Sequence, residues 1–179
     1  VVLAKVFGVS GLRIDCWAFP YKKGWETGLV TKALVQAIVK KPVSLSWNVW
    51  GKPVCEELTF CVSHTAIVNG SGWYLLAFLP ALETDGYRKI LGLDIEWKDR
   101  KVDFKRMAVR FFSQADRSQI VNCEDFLQIW TQKEAYLKAL GYGLSKPLSA
   151  ILGCSKGNFQ SGDREIEMET GKSNRLASP

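Results

Sequence analysis

The sequence predicts an α+β protein in which a helix-plus-strands pattern occurs twice. Two observations carry this reading. Short runs of alternating apolar and polar residues are separated by turn residues, as half-buried strands require. Between them lie segments whose apolar residues recur at helical spacing, one in each half of the chain. The 179 residues, 47% hydrophobic and 23% charged, suffice for one compact domain or two small lobes.

The elements follow in order. Residues 1–19 read as two strands joined near Ser10-Gly11; in the second, Leu12, Ile14, Cys16 and Ala18 alternate with Arg13, Asp15, Trp17 and Phe19. A turn-rich stretch, Pro20 to Gly28, leads into a helix on Leu29, Val30, Ala33, Leu34, Ala37 and Ile38, which Pro42 ends. Strand signals return at Val43–Val49, then a Gly51-Lys52-Pro53 turn. Leu58–Val62 and Trp73–Leu79 read as strands around a polar loop at Asn69-Gly70-Ser71-Gly72, and Ile90–Trp97 as another. Phe104, Met107, Ala108, Phe111 and Phe112 suggest a helix. Glu124–Leu140 is the strongest helix, with Gly141 and Gly143 placed to stop it in left-handed geometry. Leu148–Leu152 and Asp163–Glu169 read as short strands around a Ser161-Gly162-Asp163 turn. The tail after Glu169 does not read as a final strand, and the halves share no sequence repeat beyond the pattern.

The bulk properties narrow the function classes. Lys and Arg number 24 against 18 Asp and Glu, a formal charge of +6 that suits anionic partners and, equally, plain solubility. The cysteines, Cys16, Cys55, Cys61, Cys123 and Cys154, are scattered and contain no C-x-x-C pair. That argues against a zinc site or a disulfide framework and for a reducing compartment. No apolar run reaches the ~20 residues that span a bilayer. The expectation is a cytoplasmic protein.

Three local patterns carry chemistry. In Ile90–Trp97, Leu91, Leu93, Ile95 and Trp97 share one strand face; Gly92, Asp94 and Glu96 share the other. Two carboxylates side by side repel unless neutralised, and a hard cation such as Mg²⁺ does this while keeping positions for phosphate oxygens. Gly92 would leave room for a ligand to approach the backbone. A solvated polar face is the alternative. In Glu124–Leu140 the apolar stripe is Phe126, Ile129, Trp130, Leu137 and Leu140; Lys133 falls inside it, Glu134 at its border, and Lys138 one turn beyond Glu134. Either Lys133 snorkels and Glu134–Lys138 is an ordinary helix pair, or this is a cleft wall. There Glu134 faces a metal and both lysines face phosphate. The lone histidine, His64, ends a strand as Ser63-His64-Thr65. No Ser/His/Asp order surrounds it, which excludes a hydrolase triad; these side chains could instead donate hydrogen bonds to a phosphate.

Together these pieces resemble the surfactin-synthetase type of 4′-phosphopantetheinyl transferase. Three blocks match in order: Gly51-Lys52-Pro53 with Phe60-Cys61-Val62-Ser63-His64-Thr65; Leu91-Gly92-Leu93-Asp94-Ile95-Glu96; and Trp130-Thr131-Gln132-Lys133-Glu134-Ala135-Tyr136-Leu137-Lys138-Ala139-Leu140-Gly141-Tyr142-Gly143-Leu144. The third is the most specific. The resemblance implies a pseudo-dimer of two similar lobes, residues 1–89 and 90–179, with the active site in the cleft between them. It implies transfer of the phosphopantetheine arm of coenzyme A to a serine of an acyl or peptidyl carrier protein, with release of 3′,5′-ADP. Asp94, Glu96 and Glu134 match the metal carboxylates, for Mg²⁺ or Mn²⁺. Glu134 also matches the base and Lys138 the leaving-group lysine. Lys52, Pro53, Ser63, His64, Lys133 and Lys138 match positions that hold coenzyme A. The chain departs from the family pattern at Cys61 and Thr65. It also departs in Pro20–Gly28, where Lys22 and Lys23 are the cations in place of an Arg-rich stretch.

The implied partners are the carrier protein and coenzyme A, with no nucleic acid, no membrane and a monomeric enzyme. One alternative is a weak or inactive homologue that binds coenzyme A or the carrier. Another is a nucleic-acid-binding domain using Lys98, Arg100, Lys101, Lys105, Arg106 and Arg110, though no nucleic-acid motif surrounds that cluster. Within the family, the same basic surface would meet an acidic carrier helix.

Overall fold

A computed structural model describes residues 2–8, 13–79, 90–142 and 146–151, and the backbone of 164–168 and 175–176. The strands are β1 (Val2–Gly8), β2 (Asp15–Lys22), β3 (Ser46–Trp47), β4 (Pro53–Val54), β5 (Thr59–His64), β6 (Ser71–Leu79), β7 (Leu91–Trp97), β8 (Arg164–Met168) and β9 (Arg175–Leu176). The helices are α1 (Thr27–Val39), α2 (Phe104–Phe111), α3 (Gln114–Arg117) and α4 (Cys123–Leu140), with a 3₁₀ turn at Leu148–Ala150. The mixed α and β content agrees with the expected class. The expected stop at Gly143 and turn at Ser161-Gly162-Asp163 lie outside the described residues, as does Leu12.

Two antiparallel sheets form, in the orders β7-β1-β8 and β5-β6-β2-β9, and β3-β4 makes a small ribbon. They stack because their strands carry apolar residues on both faces. On β6, Trp73, Leu75, Ala77 and Leu79 join Val2, Ala4 and Val6 of β1 and Leu91, Leu93 and Ile95 of β7 in a core between the sheets. The alternate residues Leu76 and Phe78 meet Val35 of α1 in a second core. A third core unites Leu3 with Phe126, Ile129, Trp130 and Leu137 of α4 and with Ala108 of α2. The layers therefore run helix, sheet, sheet, helix.

Strand pairing crosses the expected division at residues 89/90. β1 lies between β7 and β8, with Val2 opposite Trp97 on one side and Met168 on the other. β9 pairs with β2, Cys16 opposite Leu176. Each half thus lends a strand to the other's sheet, and the tail after Glu169 does supply a strand.

Other departures have local causes. The strand expected over Val43–Val49 shrinks to Ser46–Trp47, because its partner β4 is two residues long. β2 runs on to Lys22, since β6 pairs with it as far as Ser71. The expected strand at Leu148–Leu152 is instead the 3₁₀ turn as far as it is described.

α4 begins with a capping box: Asn122 accepts from the Asp125 amide, and the Asp125 carboxylate accepts from the Asn122 amide. It ends at Gly141, at φ 78°. Of the described glycines, Gly92 has the tightest surroundings, where β7 meets α4. A methyl group at Gly92 would lie 1.9 Å from the Ala135 carbonyl oxygen and 2.5 Å from the Ala139 nitrogen. Gly92 therefore admits a helix, not a ligand as its position on the strand suggested. Gly92→Ala is expected to destabilise the protein by about 3 kcal/mol. In Gly28→Ala the new methyl meets the Trp47 ring at an ordinary 3.8 Å and should be near neutral. Urea denaturation of both variants checks this; equal stabilities would contradict the packing argument.

Candidate active site

β5 and β7 are edge strands of the two sheets, and they pack against each other beside α4. Between them a cavity of about 450 Å³ opens. Its walls are Thr27, Gly28 and Thr31 of α1; Trp47, Trp50, Lys52 and Pro53 around the ribbon; Cys61, Ser63 and His64 of β5; Tyr74; Asp94 and Glu96; and Glu134 and Lys138. The cavity thus gathers three of the expected carboxylates and five of the six expected coenzyme A contacts.

Asp94 is buried. Its Oδ1 accepts from Ser63 Oγ at 3.0 Å and from Lys138 Nζ at 2.5 Å, while Lys138 also donates to Ser63 Oγ at 3.0 Å. One ammonium thereby ties α4 to β7 and β5. Lys138 Nζ stands 3.9 Å from Glu134 Oε2. Burial disfavours the Lys138 charge, but Asp94 and Glu134 outweigh it and hold the pKa above the ordinary lysine value. Glu134 is pushed from its ordinary 4.5 up to about 7, by burial first and then by the nearby Asp94 and Glu96 charges, against the pull of Lys138. Burial and Asp94 also raise Glu96, which ion-pairs with Arg100.

The donor chemistry suits a hard divalent cation. It consists of carboxylates that raise one another's pKa, and Asp94 Oδ2 is buried without a hydrogen-bond partner. The carboxylates do not converge, however: among the described residues no group of three or more His, Cys, Asp or Glu is arranged to hold a metal ion. Lys138 and Arg100 engage Asp94 and Glu96 instead.

Lys133 requires correction. It was expected to face phosphate, but it does not line the cavity. It is fully buried, and its ammonium donates to Asp116 Oδ2 at 2.5 Å and to the Leu148 and Ile151 carbonyls at 2.9 Å each. Its three protons are thus spent on the segments that cover α4, and it does not snorkel. Lys52 lines the cavity, yet its ammonium donates to the Leu91 and Lys138 carbonyls at 2.8 and 2.7 Å. Alongside it, Asn48 Nδ2 donates to the Gly141 carbonyl at 2.9 Å. The 48–52 turn therefore clamps the carbonyl end of α4, where a cation is favoured. His64 is exposed and its ring stands 5.2 Å from that of Tyr21.

Several site residues carry little signal in the sequence. Arg100 counts there only as surface charge. Asn48 belongs to no motif. Trp47 and Trp50, 58% and 53% exposed, sit in a run that resembles an ordinary strand and turn. Thr27, Gly28 and Thr31 form the first turn of a helix whose N-cap, Glu26, makes no side-chain cap bond. That missing cap is the one signal available.

Residues 90–175 match the family model described as the 4′-phosphopantetheinyl transferase superfamily. The chain is similar to the 4′-phosphopantetheinyl transferase Sfp of Bacillus subtilis (strain 168), 26% identical over 152 residues, which cover 78% of this chain and 62% of that protein. It is also similar to the 4′-phosphopantetheinyl transferase gsp of Aneurinibacillus migulanus, 28% identical over 135 residues (69% and 49%). A third relative is the 4′-phosphopantetheinyl transferase HetI of a Nostoc species, 35% identical over 116 residues (58% and 44%). The chain thus spans less than two thirds of these curated relatives' length. No solved structure matches it. Among the described residues no helix is long and apolar enough to cross a membrane.

Two outcomes follow from the site's charges. Glu134 and Glu96 have folded pKa values above their ordinary ones, so each stabilises the fold at pH below about 4.5 and loses that contribution as pH rises through the folded value. For Glu134, the stability of the metal-free protein should fall by on the order of 3 kcal/mol between pH 4.5 and 8. Glu134→Gln should flatten the profile. Urea midpoints at pH 5 and 8 read this directly, and identical profiles for the two proteins would count against it. Lys133→Met leaves Asp116 without its buried counter-charge and should cost about 3 kcal/mol. Lys133 does not line the cavity, so the loss should be of stability alone. Urea denaturation beside the unaltered protein checks this, and an equal midpoint would contradict it.

Proposed function

We propose that this chain is a 4′-phosphopantetheinyl transferase of the surfactin-synthetase type, acting on a serine of an acyl or peptidyl carrier protein. One observation carries the proposal. Asp94, Glu96, Glu134 and Lys138 line one cavity, in a segment that matches the transferase superfamily. In the reaction the serine Oγ attacks the β-phosphorus of coenzyme A. The bond from that phosphorus to the bridging oxygen breaks, 3′,5′-ADP leaves with the electron pair, and the serine proton passes to Glu134. Glu134, raised to about 7 while no cation is bound, lies on the cavity wall beside Lys138, placed to take the serine proton. Lys138 remains an ammonium near neutrality and stabilises charge growing on the departing diphosphate. A Mg²⁺ or Mn²⁺ ion held by Asp94, Glu96 and Glu134 would supply further neutralising charge. These side chains sit on adjoining elements, β7 and α4.

The rest of the cavity suits a nucleotide. The exposed His64 lines it at the end of β5, and the uncapped N-terminus of α1 favours phosphate. Trp47 and Trp50 offer aromatic faces. The two halves of the chain, 1–89 and 90–179, serve as lobes on either side of this cavity, sharing β1 and β9. The carrier is assigned to α2, whose outward face is Lys105, Arg106 and Arg110 around Val109, which is 67% exposed. Lys98 and Arg100 contribute less to that surface than their charge suggests, because they pair with Glu124 and Glu96. An acidic amphipathic helix complements this face better than a nucleic acid, since its centre is apolar. Placement in a reducing cytosol, with the enzyme acting as a monomer, completes the reading; Cys55, Cys61 and Cys123 are free thiols.

Incubation with coenzyme A, Mg²⁺ and an apo carrier is expected to add ~340 Da to the carrier, the increment of phosphopantetheine transfer. Lys138→Ala should lower kcat about 10²-fold, the scale for one preorganised electrostatic group, and weaken coenzyme A binding less. Lys138→Arg should restore it only in part. Intact-mass spectrometry and steady-state kinetics make the test. No adduct on any carrier class would favour a protein that only binds, and a near-normal kcat in Lys138→Ala would remove the leaving-group role.

A further inference from the structure

We propose that Arg100 is a positioning residue: it holds Glu96 as an internal counter-cation when no divalent ion is bound, and it must be displaced for the ion to enter. The inference rests on the reading of Asp94, Glu96 and Glu134 as a cation site. It goes further by assigning the control of cation affinity to a residue that is not itself a ligand.

The geometry supports a side chain built to let go. Arg100 sits in the turn after β7, and its backbone is fixed: its amide donates to the Trp97 carbonyl at 3.1 Å, and its carbonyl accepts from Cys123 Sγ at 3.5 Å. Its side chain reaches back four residues to Glu96. The two ends of that ion pair differ. The Glu96 side chain is 12% exposed, whereas that of Arg100 is 37% exposed, with solvent to move into. Glu96 is thus the fixed member and Arg100 the removable one.

The clustered carboxylates favour a cation there in either state. Asp94 and Glu96 lie on one strand face, and each adds to the charge around Glu134. Lys138 answers Asp94, and Arg100 answers Glu96. A divalent ion approaching Glu96 meets a guanidinium already seated on its Oε1. Both cannot sit there, since the ion and the guanidinium would repel at contact distance. Binding therefore includes the breaking of the Arg100–Glu96 pair, and affinity falls by the strength of that pair. Cys61, Ser63 and His64 line the other side of the cavity. Neither Cys61 nor Ser63 carries positive charge, and Lys138 is already engaged with Asp94 and Ser63.

The test is titration of the metal-free full chain with Mn²⁺ alone, by calorimetry, in the unaltered protein, Arg100→Gln and Arg100→Lys. Asp94→Asn, which should lose the binding event, identifies the site. Arg100→Gln is expected to bind Mn²⁺ about tenfold more tightly, the scale of removing one charge near a partly solvated ion. Arg100→Lys should fall between. The metal-free Arg100→Gln protein should also melt earlier than the unaltered one, with the gap closing at saturating Mn²⁺. An unchanged or weaker Mn²⁺ affinity in a folded Arg100→Gln protein overturns the inference while leaving the cation site standing. Absence of Mn²⁺ binding by the unaltered protein overturns both. If Arg100→Gln does not fold, an Arg100→Lys affinity equal to that of the unaltered protein overturns it.

Discussion

The contact on which the rest of the molecule depends is the seating of β7 against α4 at Gly92, where only a hydrogen fits beneath the Ala135 carbonyl. β7 turns Leu91, Leu93 and Ile95 into the core between the sheets. Its opposite face is pressed onto the helix. That face also carries Asp94 and Glu96, two and four residues beyond the glycine, and α4 answers with Glu134 and Lys138. A wider spacing would leave these side chains apart, each solvated and unable to shift its neighbours' pKa. The close approach thus converts two ordinary amphipathic elements into one charged wall. Lys138 then carries the contact to β5 through Ser63, and the 48–52 turn closes over the end of the helix with Lys52 and Asn48.

Much of this is legible in the sequence because it is periodic. Eighteen residues of helical spacing define α4, and strict alternation defines β7, so the faces that carry Asp94, Glu96, Glu134 and Lys138 follow from residue order alone. What residue order does not reveal depends on partners remote in the chain. A lysine inside an apolar stripe looks the same whether it snorkels or, like Lys133, meets an aspartate on another helix and two carbonyls of a later turn. Gly92 reads equally as space for a ligand or for a helix, because a missing Cβ does not say what fills its place. The strands near residues 43–49 and 148–152 have suitable residues, but strand length is set by the partner; it is short in the first case, and in the second no strand pairs with residues 148–151 among the described residues. The exchange of β1 and β9 between the sheets leaves no periodic trace at all.

The two lysines of α4, one buried and one on the cavity wall, show how one helix can carry opposite demands. Lys133 is saturated: carboxylate and carbonyls take every proton, and Asp116 is in turn bound by the Ser113 amide and hydroxyl. Such a group stiffens the structure and can do nothing else. Lys138, five residues on, sits among Asp94, Glu134 and Ser63, in a site that retains an unpartnered Asp94 oxygen and a carboxyl poised near neutrality. An unsatisfied cluster of this kind lowers stability, but it is ready for charge brought in from outside. The saturated lysine holds the frame against which the unsaturated one can work.

The pairing of β1 with β7 and β8, and of β9 with β2, also bears on how the chain reaches this structure. During synthesis β1 precedes the other strands, yet its hydrogen-bond partners β7 and β8 emerge from the ribosome only after β2, β5 and β6 of the other sheet have been made. Until then its backbone and the apolar face formed by Val2, Ala4 and Val6 have no native neighbour in its own sheet. Such long-range pairing slows folding and leaves an open strand edge exposed in the meantime. The same connectivity means that the two halves do not separate into autonomous folding units: a fragment ending in the segment before β7 would carry β1 without its sheet, and a fragment starting at β7 would lack the sheet's central strand. The sheet built on β1 is therefore completed only once β7 and β8 are available to flank it.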